Sequence, residues 1–217
     1  MKTITNGQPD TGLDLKNSSK TKQWSVKDAS ALYEISRWGN GYFSINDAGH
    51  VQVHPTKEPD KAIDLKKLID RLQLRGIGLP ILVRFTDILK HRLGDIYTAF
   101  QSAIRQHQYQ GRYCCVYPIK VNQQRQVVEE VLRFGKPYQF GLEAGSKPEL
   151  LAVMALADNK TPIICNGFKD AEFIEAAMLA QKIGRNIIPV VSSTIAIRTQ
   201  NAIHHLLQTN LVVVQHT

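Results

Sequence analysis

The chain has 217 residues, 43% hydrophobic and 21% charged, a balance that allows a buried core and excludes disordered or collagen-like chains. Its longest apolar runs, such as residues 187–191 and 211–214, fall far short of the roughly 20 residues needed to cross a bilayer, so no membrane partner is expected. The formal charge of +8 is scattered among acids rather than gathered in a patch, and no aromatic residues interleave with it, which argues against a nucleic-acid partner.

Residues 1–23 are polar and lack the apolar stretch and small-residue cleavage site of a secretory signal, so they read as a flexible tail of a cytoplasmic protein. From residue 24 to 55 aromatic and β-branched residues alternate between turn residues. The runs 42–46 and 50–54 flank Asp47-Ala48-Gly49, which is a hairpin signal. Asp64 then caps a helix whose Leu65, Leu68, Ile69 and Leu72 fall on one stripe, ending at Gly76 or Gly78. Residues 24–78 are therefore expected to form a small β element with one helix.

From residue 79 onward the pattern changes to strand followed by helix. Residues 79–85 form an apolar run, and Thr86-Asp87 opens a helix with Leu89, Leu93, Ile96, Phe100 and Ile104 along one face. Further strands are expected at 113–121, 138–143, 162–168 and 186–191. Helices lie between them: one through Val127, Val128, Val131 and Leu132; one opened by Ser146, Pro148 and Glu149 as a capping box; and one capped by Asp170 with Phe173, Ala177 and Ala180 inward. Strands that are apolar throughout are buried on both faces, as in parallel sheets, so the fold class is α/β with about five strands. Periodicity leaves a doubly wound sheet and a (β/α)8 barrel both open. The absence of Gly-x-Gly-x-x-Gly after the first strand weakens a dinucleotide-binding reading.

The three cysteines, Cys114, Cys115 and Cys165, have neither disulfide-framework nor zinc spacing and are expected as buried free thiols. Residues 192–217 break the pattern: they hold one Arg, no Lys and no acid. A sixth unit there would comprise a helix at 196–207 and a strand at 211–214.

The informative segment is Tyr117-Pro118-Ile119-Lys120-Val121-Asn122-Gln123. A lysine at the end of an apolar strand is ordinarily solvated, but the strand ends are also where α/β enzymes collect reactive groups. With Gly141-Leu142-Glu143-Ala144-Gly145-Ser146-Lys147-Pro148-Glu149-Leu150 and Ile164-Cys165-Asn166-Gly167-Phe168-Lys169-Asp170, this segment closely resembles the bacterial biosynthetic arginine decarboxylases. Trp38-Gly39-Asn40-Gly41-Tyr42-Phe43 adds to the likeness, which extends over residues 24–191.

The resemblance implies part of a (β/α)8 barrel of the alanine-racemase type, preceded by the small β element. The domain boundaries it suggests are 1–23, 24–78, 79–191 and 192–217. It implies pyridoxal 5′-phosphate bound to Lys120, the catalytic lysine, with Glu143 beside the cofactor ring. A lysine amine is nucleophilic only when neutral, and a desolvated barrel mouth lowers its pKa. Glu143 has a second explanation as an acid favouring the dipole of the helix at Ser146. Asn166, Lys169, Tyr117 and Pro118 are equally explained by packing and loop shape. The implied activity is decarboxylation of L-arginine to agmatine for polyamine, and so spermidine, synthesis, with magnesium as a further cofactor whose ligands are not identifiable and a homo-oligomer as the assembly.

A full barrel takes about 250 residues, and 79–217 supplies 139, so the expectation is a truncated, inactive piece of the enzyme with an uncovered apolar interior. A non-catalytic pyridoxal-phosphate-binding barrel protein is the competing reading, and a barrel remnant without ligand is a third.

Overall fold

The computed structural model describes residues 23–168 and 170–191 and the pair 212–213. Residues 1–22 of the tail expected at 1–23, the helix at 196–207 and Lys169 lie outside the described residues.

Two short helices open the described chain, α1 (Val26–Leu32) and α2 (Ile35–Gly39), where only a β element was expected. For α1 the physical reason is a capping box. Ser25 Oγ accepts the Asp28 N–H at 3.2 Å, and the Asp28 carboxylate accepts the Ser25 N–H at 3.0 Å. The expected hairpin follows as β1 (Phe43–Ile45) and β2 (Val51–Val53), paired antiparallel with Phe43 opposite Val53. A third strand, β3 (Ile63–Asp64), was not anticipated and adds to β2. Asp64 gathers three donors: the Lys67 N–H at 3.0 Å, Asn46 Nδ2 at 3.0 Å and His50 Nδ1 at 2.9 Å. It thereby caps α3 (Leu65–Leu74) and ties that helix to the hairpin turn. Helix α3 ends in a Schellman motif at Gly76, where φ is +83°, with Ile77 N–H on the Leu72 carbonyl.

Residues 79–85, expected as the first strand of the parallel sheet, belong to neither sheet. A strand exists through the ladder it joins, Pro80 has no N–H to give one, and Leu79 and Leu82 remain exposed. Helix α4 (Thr86–Gln106) starts where expected and packs along α5 (Arg125–Gly135). Two stacked ring pairs join α4 to the chain around the strands: Phe100 on Tyr113 with centroids 3.8 Å apart, and Tyr97 on Tyr138 at 4.7 Å.

The second sheet holds five strands in the order β4 (Val116–Pro118), β5 (Gly141–Ala144), β6 (Ile163–Cys165), β7 (Ile187–Val191) and β8 (Val212–Val213), each parallel to the next. Helices α5, α6 (Lys147–Leu156) and α7 (Ala171–Lys182) connect the first four. Strand β8 falls within the strand expected at 211–214. Register places Leu142 beside Ile163 and Ile163 beside Ile187, all turned to the helices. There they join Val128, Val131, Leu150, Val153, Phe173, Ala177 and Ala180 in one buried cluster. The alternate residues Glu143, Ile164 and Ile188 face the other side and are only half-buried. The strands are thus fully buried on one face, not on both as their composition implied. No helix among the described residues is long and apolar enough to cross a membrane.

Candidate functional site

The carboxyl ends of β4, β5 and β6 lie side by side, with Pro118 opposite Glu143 and Glu143 opposite Ile164. Beyond Pro118 the chain makes one 3-10 turn, Ile119–Val121. Ile119 is buried in the core, which fixes the turn from below and sends the neighbouring Lys120 side chain to the mouth of the sheet. The Tyr117 hydroxyl donates to the Asn122 carbonyl at 3.2 Å across this turn, and Asn122 Oδ1 accepts the Gln124 N–H at 3.0 Å. Burial pushes the Tyr117 phenol pKa up, and the positive charge of Arg84 nearby works against that rise.

Lys120 Nζ lies 3.6 Å from Glu143 Oε1, so the structure brings together the two residues singled out in the sequence. Their environments differ. The Lys120 side chain is 60% exposed, whereas that of Glu143 is 13% exposed. The expected desolvation of the amine is therefore not found among the described residues. Glu143 Oε1 is buried and accepts no hydrogen bond. Leaving a buried carboxylate oxygen without a hydrogen bond is unfavourable; the Lys120 amine pairs with it only at ion-pair distance, so the atom can still accept a hydrogen bond from a nearer donor.

The N-terminus of α6, whose dipole gives Glu143 its alternative role, is capped by other groups. Ser146 Oγ accepts the Glu149 N–H at 3.5 Å, and the Glu149 carboxylate reaches back to the Gly145 N–H at 2.8 Å. The sequence showed this capping box, but the acid passes over Ser146 and holds the preceding residue, thereby fixing the loop directly after Glu143. The next loop packs against it backbone to backbone: a Cβ added to Gly167 would lie 2.0 Å from the Gly145 carbonyl oxygen. Asn166 is exposed, and its N–H extends the ladder to the Ala144 carbonyl at 3.0 Å. Lys147 crosses from α6 to Asp170 at 3.3 Å and to Glu172, joining the starts of α6 and α7. The arrangement offers a reachable amine, a buried acceptor beside it and two loops held close around them.

The family model for the pyridoxal-dependent decarboxylase, pyridoxal binding domain, matches residues 93–204. The biosynthetic arginine decarboxylase of Rhodopirellula baltica is 56% identical over 169 residues, covering 78% of this chain and 25% of its own length. That of Gloeobacter violaceus is 53% identical over 173 residues, covering 78% of this chain and 27% of its own. The crystal structure of the biosynthetic arginine decarboxylase from Campylobacter jejuni aligns with a TM-score of 0.72 at 32% identity, over 83% of this chain and 30% of that one. The chain thus spans about a quarter of the length of the curated relatives it matches. Its parallel sheet with helices on one face is part of a (β/α)8 barrel of the alanine-racemase type. The chain belongs to the pyridoxal-dependent decarboxylase family, which it matches through the pyridoxal-binding domain.

Proposed function

We propose that this chain holds pyridoxal 5′-phosphate through Lys120 and serves the decarboxylation of L-arginine to agmatine. The observation that carries the cofactor reading is the pair at the mouth of the sheet: an exposed amine 3.6 Å from a buried carboxylate oxygen that has no hydrogen bond. The residues present fit the group. Lys120 presents its amine to a carbonyl arriving from solvent, and Glu143 Oε1 offers an acceptor to a donor on the bound molecule. Glu149 and Ser146 keep the Glu143 loop in place, while the Gly145 backbone leaves no space for a side chain at Gly167. When bound, pyridoxal phosphate supplies an electron sink for the pair left on the α-carbon as carbon dioxide departs.

Arginine as substrate, polyamine and spermidine synthesis as destination, and a homo-oligomer as assembly rest on the names and likeness of the relatives. Magnesium as a further cofactor rests on the family likeness alone; among the described residues no three His, Cys, Asp or Glu side chains come together as ligands. A cytoplasmic setting agrees with three cysteines that form no disulfide; Cys165 is buried as expected, whereas Cys114 is exposed and Cys115 half-buried. We place the domain boundaries after residues 23, 78 and 191.

The test is retention of pyridoxal phosphate by the purified chain, followed by release of labelled carbon dioxide from carboxyl-labelled arginine. Retention that is lost in Lys120→Ala supports the cofactor reading, and a colourless parent chain contradicts it. Release from arginine in preference to ornithine and lysine supports the substrate. Retained cofactor with no release from arginine leaves the cofactor reading in place and contradicts turnover by this chain alone, in keeping with the inactive piece expected from the sequence.

A further inference from the structure

The segment leading into α4 and the loop carrying Lys120 are joined by a side-chain bond, in which Arg84 Nη2 donates to Gln124 Oε1 at 2.6 Å across 40 positions of sequence. Gln124 is the N-cap residue of α5, yet its side chain makes no capping bond. Its carbonyl oxygen is turned to the guanidinium instead, against the usual local use of a polar N-cap. The chain of contacts continues inward. The Gln124 N–H goes to Asn122 Oδ1 at 3.0 Å, and the Asn122 carbonyl accepts the Tyr117 hydroxyl at 3.2 Å. Lys120 therefore sits in a turn closed between Tyr117 and Asn122, anchored below by buried Ile119 and braced on its solvent side by Arg84.

The geometry points to Arg84 as a positioning residue for Lys120, acting through Gln124 and Asn122 to keep the amine beside Glu143. This rests on the reading of Lys120 as the cofactor lysine. The Arg84–Gln124 bond is exposed, so it contributes little to folding stability. The turn it braces has no α-helical or strand ladder across Lys120 itself, so a modest restraint there changes how often the amine is presented. Stability and presentation are thus separable, which makes the role measurable.

The experiment uses the full chain mixed with pyridoxal phosphate. Borohydride quenching at timed intervals, followed by mass spectrometry of the peptide containing Lys120, gives the rate at which the reduced adduct forms. Arg84→Met and Gln124→Ala are each expected to slow it roughly fivefold, the scale of one charge-assisted hydrogen bond lost at an exposed site. The double variant is expected to be no slower than either single one, because both remove the same brace. Arg84→Lys recovers part of the rate, and all variants keep their unfolding temperature within about 2 °C. Single variants that react at the parent rate, or a double variant slowed by the product of the two effects, overturn the role of Arg84 while leaving Lys120 in place. A parent chain that forms no adduct on Lys120 overturns the cofactor reading itself and this role with it.

Discussion

Residues 79–83 and β7 (Ile187–Val191) are each five apolar residues containing one proline, and they end in opposite situations. Strand β7 lies between β6 and β8, with α7 packed against it, and Ile187 is 3% exposed. The earlier run belongs to neither sheet, and Leu82 is 73% exposed. Composition makes a run able to be buried; neighbouring strands and a covering helix decide whether it is. The same distinction separates the two faces of the parallel sheet. The helix-covered face is close-packed, and the face that carries Glu143 is less completely buried.

This contrast is tested most severely by truncating one side chain on each side of it. Phe173→Ala, in the buried cluster, is expected to lower stability by about 3–5 kcal/mol in urea unfolding. Leu82→Ala is expected to change it by no more than about 0.5 kcal/mol. A comparable loss at Leu82 would show that residues 79–83 belong to the core after all. Glycine gives a second pair of probes. Gly167→Ala places a methyl against the Gly145 carbonyl and is expected to destabilise by about 1–3 kcal/mol. Gly78→Ala meets nothing within 4 Å and is expected to be neutral or to stabilise by about 0.5 kcal/mol.

The elements that were legible in the sequence are those marked by both a stripe and a cap. Helices α3, α6 and α7 begin at Asp64, Ser146 and Asp170 because each of these side chains accepts a backbone N–H of its own first turn. Helices α1 and α2 were missed although Ser25 and Asp28 form a capping box, because aromatic residues nearby read more strongly as strand. The two-residue strand β3 is too short to alternate. Strands were read too long, since residues 113–115 are apolar, and Ile119 and Val121 flank Lys120, yet all lie outside the register pairs that define β4. Lys120 and Glu143 were visible as motif residues, but their meeting depends on the register that sets Pro118 opposite Glu143. The Arg84–Gln124 bond has no local signal at all, because its partners are brought together only by folding.

The small antiparallel sheet supplies a third kind of region, held as much by a polar cluster as by apolar burial. The donors around Asp64, first among them the Lys67 N–H, lower its carboxyl to a pKa of about 2. A carboxyl whose folded pKa lies below its unfolded value contributes stability that is present above the unfolded pKa, near 4, and is lost as the pH falls through the folded one. The urea midpoint is therefore expected to fall between about pH 4 and pH 2, and Asp64→Asn to flatten that dependence. An unchanged slope in the variant would remove Asp64 from the account.

The account turns on one amine at the open mouth of the sheet. Hydride trapping of the chain with pyridoxal phosphate, followed by peptide mapping, locates the lysine that carries the cofactor. The prediction is a single modified peptide bearing the adduct on Lys120; an adduct on another lysine, or none, would contradict it.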